Sequence, residues 1–369
     1  MTVQTSPPEP PIDPHALRRP VARVWWVAGP VLVALIAAVS IVASIRLPYI
    51  TLSPGSARSA NAQIRVAKPL LHGSKGNILF TTVSVRQPSG FETFLGVLDD
   101  DVEVDPLTVI TGGQSQDKNE KFNLQLMHDS KEIATKVALE KLGYKVVQKP
   151  IGAVITDIDP KLPSFDSLTP GDTVIQAGGK PVLTSDALVA ILRTVRPGDK
   201  VPMKVRPLDD SEIRSVRVAT VKRPGEPTRA FLGVSLQTRP EFHFPVKVTV
   251  NSGQVGGPSA GLAFTLAIID QLTPGSLTGG KTVAVTGTID LDGTVGEVGG
   301  VHQKTLAAIG AGATLMITPS GEYRDAISAS RGRIRVEKAD TLDQALRVLD
   351  RVGGNASSIG KPGATRPRR

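Results

Sequence analysis

From Gly261 to Ile269 the sequence reads GLAFTLAII, with Thr265 its only polar residue. A helix apolar on every face has to be surrounded by other elements, so this segment calls for layers of structure on all sides. Upstream, VKVTV (Val246–Val250) reads as a strand and runs through a glycine-rich turn into VGGPSAGLAF (Val255–Phe264). Ser259 thus sits at a strand–turn–helix junction. The first N–H groups of a helix have no intrahelical acceptor, and the positive end of the dipole lies beside them. Such donors are what a developing oxyanion needs.

A serine nucleophile needs a base. The stretch Val283–Ala313 reads as strand, hairpin, a Gly299–Gly300 turn and a helix. On that helix Lys304 shares a face with Val301, Ala307 and Ala308. An ammonium on an apolar face loses its water, which lowers its pKa, and a neutral amine can take a proton from a serine hydroxyl. The competing reading is a lysine whose stem lies on the apolar face while its head reaches solvent.

Taken together, GPSAG (Gly257–Gly261), the Thr286–Gly287 pair and GGVHQKTLAA (Gly299–Ala308) resemble the proteolytic domain of Lon-type Ser–Lys peptidases over roughly residues 230–350. The resemblance implies Ser259 as the catalytic nucleophile, Lys304 as general base and Thr286 as a residue that positions the lysine. It also marks a departure: many members carry an acidic residue where Gly256 stands.

The rest of the chain divides by composition. Residues 145–222 run as a strand (Gly152–Ile158), a turn, strand and glycine pair (Ser167–Val182), and a helix (Ser185–Val195) with Ser185 as its N-cap. This order resembles a bacterial PDZ domain, which would capture an extended peptide by strand addition, although no Gly-Φ-Gly-Φ carboxylate loop stands out in it. Residues 46–144 read as a β-rich region, with ILFTTVSV (Ile78–Val85) a strand and Asp99–Asp105 a solvated acidic turn. It ends in an amphipathic helix from Leu124 to Leu142, stopped by Gly143. Arg223–Arg229 reads as a linker, residues 230–352 as the Lon-type unit, and residues 353–369 as a disordered basic tail.

Val24–Ile45 contains no charge and, as a helix, would reach about 33 Å, enough for a bilayer core. It is longer than a signal-peptide core, so a retained transmembrane anchor is expected, with residues 1–23 in the cytoplasm and the remainder outside. The expected fold is an α+β multidomain chain: N-terminal transmembrane helix, β-rich N-terminal region, PDZ-like domain and C-terminal Lon-type proteolytic α/β domain. As a whole it resembles bacterial membrane-anchored PDZ–Lon peptidases, which lack the ATPase module.

Composition narrows the function. The chain has no cysteine, which removes disulfides, thiolate metal sites and cysteine nucleophiles. Its five histidines show no metal-ligand spacing. The net charge of +9 is concentrated near the two ends, and aromatics are only 4%, so neither a polyanion-gripping surface nor a base-stacking platform is expected. No cofactor, metal or nucleic acid is expected.

Three other motif matches fail on context. Gly257–Gly261 satisfies G-x-S-x-G, but only His302 follows it as a candidate base, and the remaining chain is short for an α/β-hydrolase. Gly275–Thr282 (GSLTGGKT) matches a phosphate-binding loop, yet a helix precedes it and a strand follows, the reverse of what such a loop requires. Ser115–Lys118 matches S-x-x-K in a polar surface loop.

The expected function is a membrane-anchored, ATP-independent serine endopeptidase acting through Ser259 and Lys304 on unfolded or C-terminally exposed polypeptides, with a homo-oligomeric ring implied by the resemblance. The alternatives are a membrane-bound peptide-binding scaffold with an inactive Lon-like domain, and a Ser–His esterase dependent on His302.

Overall fold

The computed structural model describes residues 22–67, 70–111, 116–207 and 212–359. Its central sheet has six strands in the order β16 (Arg335–Lys338), β15 (Leu315–Thr318), β14 (Thr282–Val285), β3 (Asn77–Arg86), β1 (Tyr49–Ser59) and β4 (Glu103–Pro106). The strands from β16 to β3 run parallel, while β1 is antiparallel to both β3 and β4. Alternation along the strands splits the core in two. Ile78, Phe80, Val283, Val285 and Ile317 face one layer of helices. Leu79, Ala284 and Met316 face the other. Strands buried on both faces carry near-continuous apolar runs, which is how VAV and LMI read.

The first layer is built around α7 (Gly261–Leu272), all of whose residues are buried. Packed with it are α5 (Gln116–Lys141), α10 (Leu342–Arg351) and the short α2 (Ala60–Gln63). The second layer holds α8 (Val301–Gly310) and α9 (Tyr323–Ser330). Strand β13 (Val248–Val250), from the segment expected as a strand, pairs with β2 (Ile64–Val66). Helices α3 (Gly90–Val97) and α4 (Leu107–Thr111) flank β4 in the chain.

A second, antiparallel sheet has the order β12 (Val234–His243), β5 (Val147–Ile158), β6 (Thr173–Ala177), β8 (Lys200–Arg206) and β9 (Arg214–Ala219), with the short β7 (Lys180–Pro181) on β6. It packs with α6 (Ser185–Leu192) around Ile155, Leu168, Leu188 and Val205. The N-cap of α6 is Thr184, whose hydroxyl accepts the Ala187 N–H at 3.1 Å. Ser185, expected in that role, instead bonds Thr238 on β12 through its hydroxyl and its amide, both at 3.1 Å. The segment expected as a linker folds into a hairpin of β10 (Val221–Arg223) and β11 (Glu226–Phe231). That hairpin leads directly into β12.

The expected transmembrane anchor is not upheld. Residues Ala22–Ser44 form a helix, α1, with Pro30 inside it. Proline removes one backbone bond from that stretch. Among the described residues no helix is long and apolar enough to cross a membrane. The single-pass placement in a bacterial membrane, and the extracytoplasmic side derived from it, fall with the anchor. The expected N-terminal tail through residue 21 and the last ten residues of the basic tail lie outside the described residues, as does Ser115.

Candidate active site

Ser259 and Lys304 come from opposite helix layers and meet at the C-terminal end of β14. There the chain leaves the sheet at Thr286 and Gly287, and the Gly287 N–H donates to the Ser259 carbonyl at 3.0 Å. Lys304 reaches the same place from the first turn of α8, whose N-cap, Gly300, lies in the left-handed region (φ 67°). A Cβ at Gly300 would fall 2.6 Å from a methyl of Val83, so glycine lets α8 start hard against β3. Both side chains line one cleft of about 870 Å³, walled by Thr81–Val85 of β3, the Gln254–Pro258 loop, the Glu297–Gly299 turn and residues Asn123, Leu124 and Met127 of α5.

Lys304 is 3% exposed. Burial pushes its ammonium down to about 8 from the ordinary 10.5, with the Glu322 charge acting in the opposite sense. Glu322 itself accepts the Val298 N–H at 2.7 Å. Among the described residues Ser259 and Lys304 share the cleft without a hydrogen bond between them. Bonds of this kind tighten when substrate is in place. The Thr286 hydroxyl lies 3.4 Å from the Ser259 carbonyl.

Helix α5 braces the loop that carries the serine. The Asn123 carbonyl accepts the Gly257 N–H at 2.7 Å, the Ser130 hydroxyl donates to the Pro258 carbonyl at 3.0 Å, and the Lys131 amine donates to the Ser252 hydroxyl at 3.4 Å. A Cβ at Gly256 would sit 2.9 Å from the Asn123 Cβ and 3.3 Å from its backbone carbon. No carboxylate fits there unless α5 moves, which accounts for the departure seen at this position. His302 has its Nε2 3.3 Å from Asp101, which Arg331 also contacts, and does not line the cleft that holds Ser259. The G-x-S-x-G reading is therefore left without its base. Lys281, from the phosphate-loop match, donates to the Val352 carbonyl.

Residues 234–349 match the model of the Lon protease (S16) C-terminal proteolytic domain. The C-terminal unit is similar to that family over this stretch. The Lon-type unit is similar to Lon proteases of Trichlorobacter lovleyi (34% identical over 108 residues, 28% of this chain and 13% of the relative) and Bacillus thuringiensis (39% over 94 residues, 24% and 12%). In Geobacter metallireducens the likeness extends over 155 residues at 32% identity, 38% of this chain and 19% of the relative. The chain thus spans less than a fifth of the length of these relatives. Among solved structures, the PDZ domain of an SdrC-like protein from Listeria monocytogenes aligns at 16% identity over 23% of this chain and 87% of its own length, with a TM-score of 0.22. A solution structure from Geobacillus thermodenitrificans aligns at 25% identity over 23% of this chain and 94% of its own length, with a TM-score of 0.21.

A second groove escaped the sequence reading. It lies between α6 and the start of β12, headed by Phe231–Val234 (FLGV) and rimmed by Arg193, Arg223 and Arg229. Among the described residues, strand β12 is the edge of its sheet and pairs only with β5. The signal was present as apolar residues around a glycine with φ 70° at a strand start, but it lies beyond residue 222, where the PDZ-like unit was expected to end.

Proposed function

We propose that this chain is a serine endopeptidase of the Ser–Lys type, acting on polypeptides without nucleotide. The observation that carries this reading is a buried lysine, brought to about 8, in one cleft with a serine at a helix N-terminus. Ser259 Oγ attacks the scissile carbonyl while neutral Lys304 accepts its proton. The tetrahedral oxyanion is held by backbone N–H groups at the start of α7. It collapses to an acyl-enzyme as Lys304 returns the proton to the leaving amine. Water then attacks the ester, giving a proton to Lys304, which restores it to Ser259.

Beyond Phe80, β3 pairs with β1 on one side only, because β14 ends at Val285. Its free edge borders the cleft, so a substrate laid along Thr81–Val85 as an added strand would bring its carbonyl to Ser259. The groove beside β12 offers a second strand-addition site. Its FLGV turn and arginine rim suit a peptide C-terminal carboxylate, which fits a PDZ-like role in selecting exposed chain ends or regulating access. A homo-oligomeric ring belongs to the same reading and is tested by the mass of the particle in solution.

The deciding experiment measures cleavage of an unfolded protein by the full chain without ATP, across pH 6–10, beside Ser259→Ala and Lys304→Ala. Loss in both variants, with wild-type activity rising through pH 8, is expected. Full activity in Lys304→Ala would refute the mechanism. Folded wild type that cleaves nothing would favour a peptide-binding scaffold.

A further inference from the structure

We propose that Ser130, on α5, is a positioning residue that orients the Ser259 amide as an oxyanion donor; this rests on the Ser–Lys reading above. A hydroxyl in mid-helix ordinarily bonds back to the carbonyl four residues earlier. Thr135, one turn further along α5, does so, donating to the Lys131 carbonyl at 2.8 Å. Ser130 is 5% exposed and instead reaches across to the Pro258 carbonyl at 3.0 Å. Gly261 permits the approach, since a Cβ there would lie 2.9 Å from the Ser130 hydroxyl.

The carbonyl that Ser130 holds belongs to the same planar peptide as the Ser259 N–H. In a trans peptide these two groups point in opposite directions. A donor fixed on the Pro258 oxygen therefore fixes the heading of the Ser259 N–H. The next peptide is clamped separately: Gly287 N–H and the Thr286 hydroxyl hold the Ser259 carbonyl, which sets the Ala260 N–H. The amide one step earlier, Gly257, is occupied by the Asn123 carbonyl. That leaves the Ser259 and Ala260 amides to receive the oxyanion, and Ser130 governs the first together with the Gly261 N–H, which donates to the same Pro258 carbonyl at 3.1 Å.

The test uses the full chain and any peptide that wild type cuts. In Ser130→Ala we expect kcat to fall roughly 10- to 100-fold, the scale of a misaimed or missing oxyanion donor. KM should stay within about threefold, because ground-state binding is untouched. The pH midpoint should stay near 8, because Lys304 is undisturbed. Ser130→Thr keeps the hydroxyl and should recover kcat to within about threefold. Unchanged kcat in Ser130→Ala, while Ser259→Ala and Lys304→Ala are dead, would overturn this role alone. So would a Ser130→Thr variant as slow as Ser130→Ala, since packing rather than the hydroxyl would then be responsible. Active Ser259→Ala or Lys304→Ala enzyme would instead sink the Ser–Lys reading and this role with it. Should Ser130→Ala fail to fold, Ser130→Cys carries the test: its weaker donor should give a kcat below that of Ser130→Thr, and equal values would overturn the proposal.

Discussion

Two lysines, Lys136 and Lys304, lie beneath the surface, and their environments differ. Lys136, on α5, is 9% exposed, ion-paired with Glu140 at 2.9 Å and bonded to the Leu291 carbonyl at 2.7 Å. Lys304, on α8, is 3% exposed, and among the described residues no hydrogen bond or ion pair engages its amine. Burial alone does not make a base. Lys136 is tied to an acceptor and a paired carboxylate, whereas at Lys304 burial outweighs the opposing Glu322 charge and pushes the ammonium down to about 8.

The contrast breaks most readily at Lys304. Lys304→Met should lower kcat by about 10²–10⁴-fold, the usual range for losing a general base, while Lys136→Met should stay within about tenfold in the same cleavage assay. Wild-type kcat should climb with pH to a plateau above about 8, because only the neutral amine accepts the serine proton. A flat profile from pH 6 to 10 would contradict this.

Stability should reverse the order of the two variants. Lys304 binds its proton less tightly in the folded chain (about 8) than in the unfolded one (10.5). Below pH 8 both states are charged and the folded one bears the full desolvation cost. Between 8 and 10.5 that cost fades as the folded amine becomes neutral. Above 10.5 nothing remains. Lys304→Met should therefore raise unfolding free energy by roughly 2–3 kcal/mol at pH 7, a gain that vanishes by pH 10.5. Lys136→Met should lower it by about 1–3 kcal/mol, because the Leu291 carbonyl and Glu140 lose their partner. Denaturant titrations at pH 7 and 10 measure both.

Gly256→Asp, which introduces the acidic side chain that the Lon-type resemblance implies at this position, should cost about 1–3 kcal/mol by pushing α5 away, with activity falling alongside. A stable and faster variant would show that α5 yields. The smallest effect belongs to His302→Ala, which removes one partly exposed contact to Asp101: about 0.5 kcal/mol or less, and under threefold in kcat. A larger loss would revive the Ser–His alternative.

The Ser259–Lys304 pair was legible because each residue violates a local expectation: a serine at the mouth of an all-apolar helix, a lysine on an alanine face. The strands ILFTTVSV and VAVT were legible too, from alternation and apolar runs. Their adjacency was not. Phe80 pairs with Val285 across some 200 residues, and nothing local announces such a partner. The RPGEPTR hairpin read as a linker because its residues are turn formers throughout, and its pairing is supplied by Phe231, Ala230 and their β10 partners. FLGV was passed over since its glycine acquires meaning only once β12 is placed at a sheet edge. The apolar run at Val24–Ile45 led furthest astray, toward a span that the described helix does not support.

Strand β3 has one further consequence, for the order in which the molecule comes into being. Its parallel neighbour β14 lies some 200 residues downstream. Until that neighbour leaves the ribosome, β3 has no mate on its inner side and the floor beneath Ser259 does not exist. The PDZ-like unit, whose strands all lie between residues 147 and 243, can fold meanwhile. In the proposed mechanism the cleft is therefore complete only once β14 has joined β3, and a clip that removed β3 would take away one wall of it.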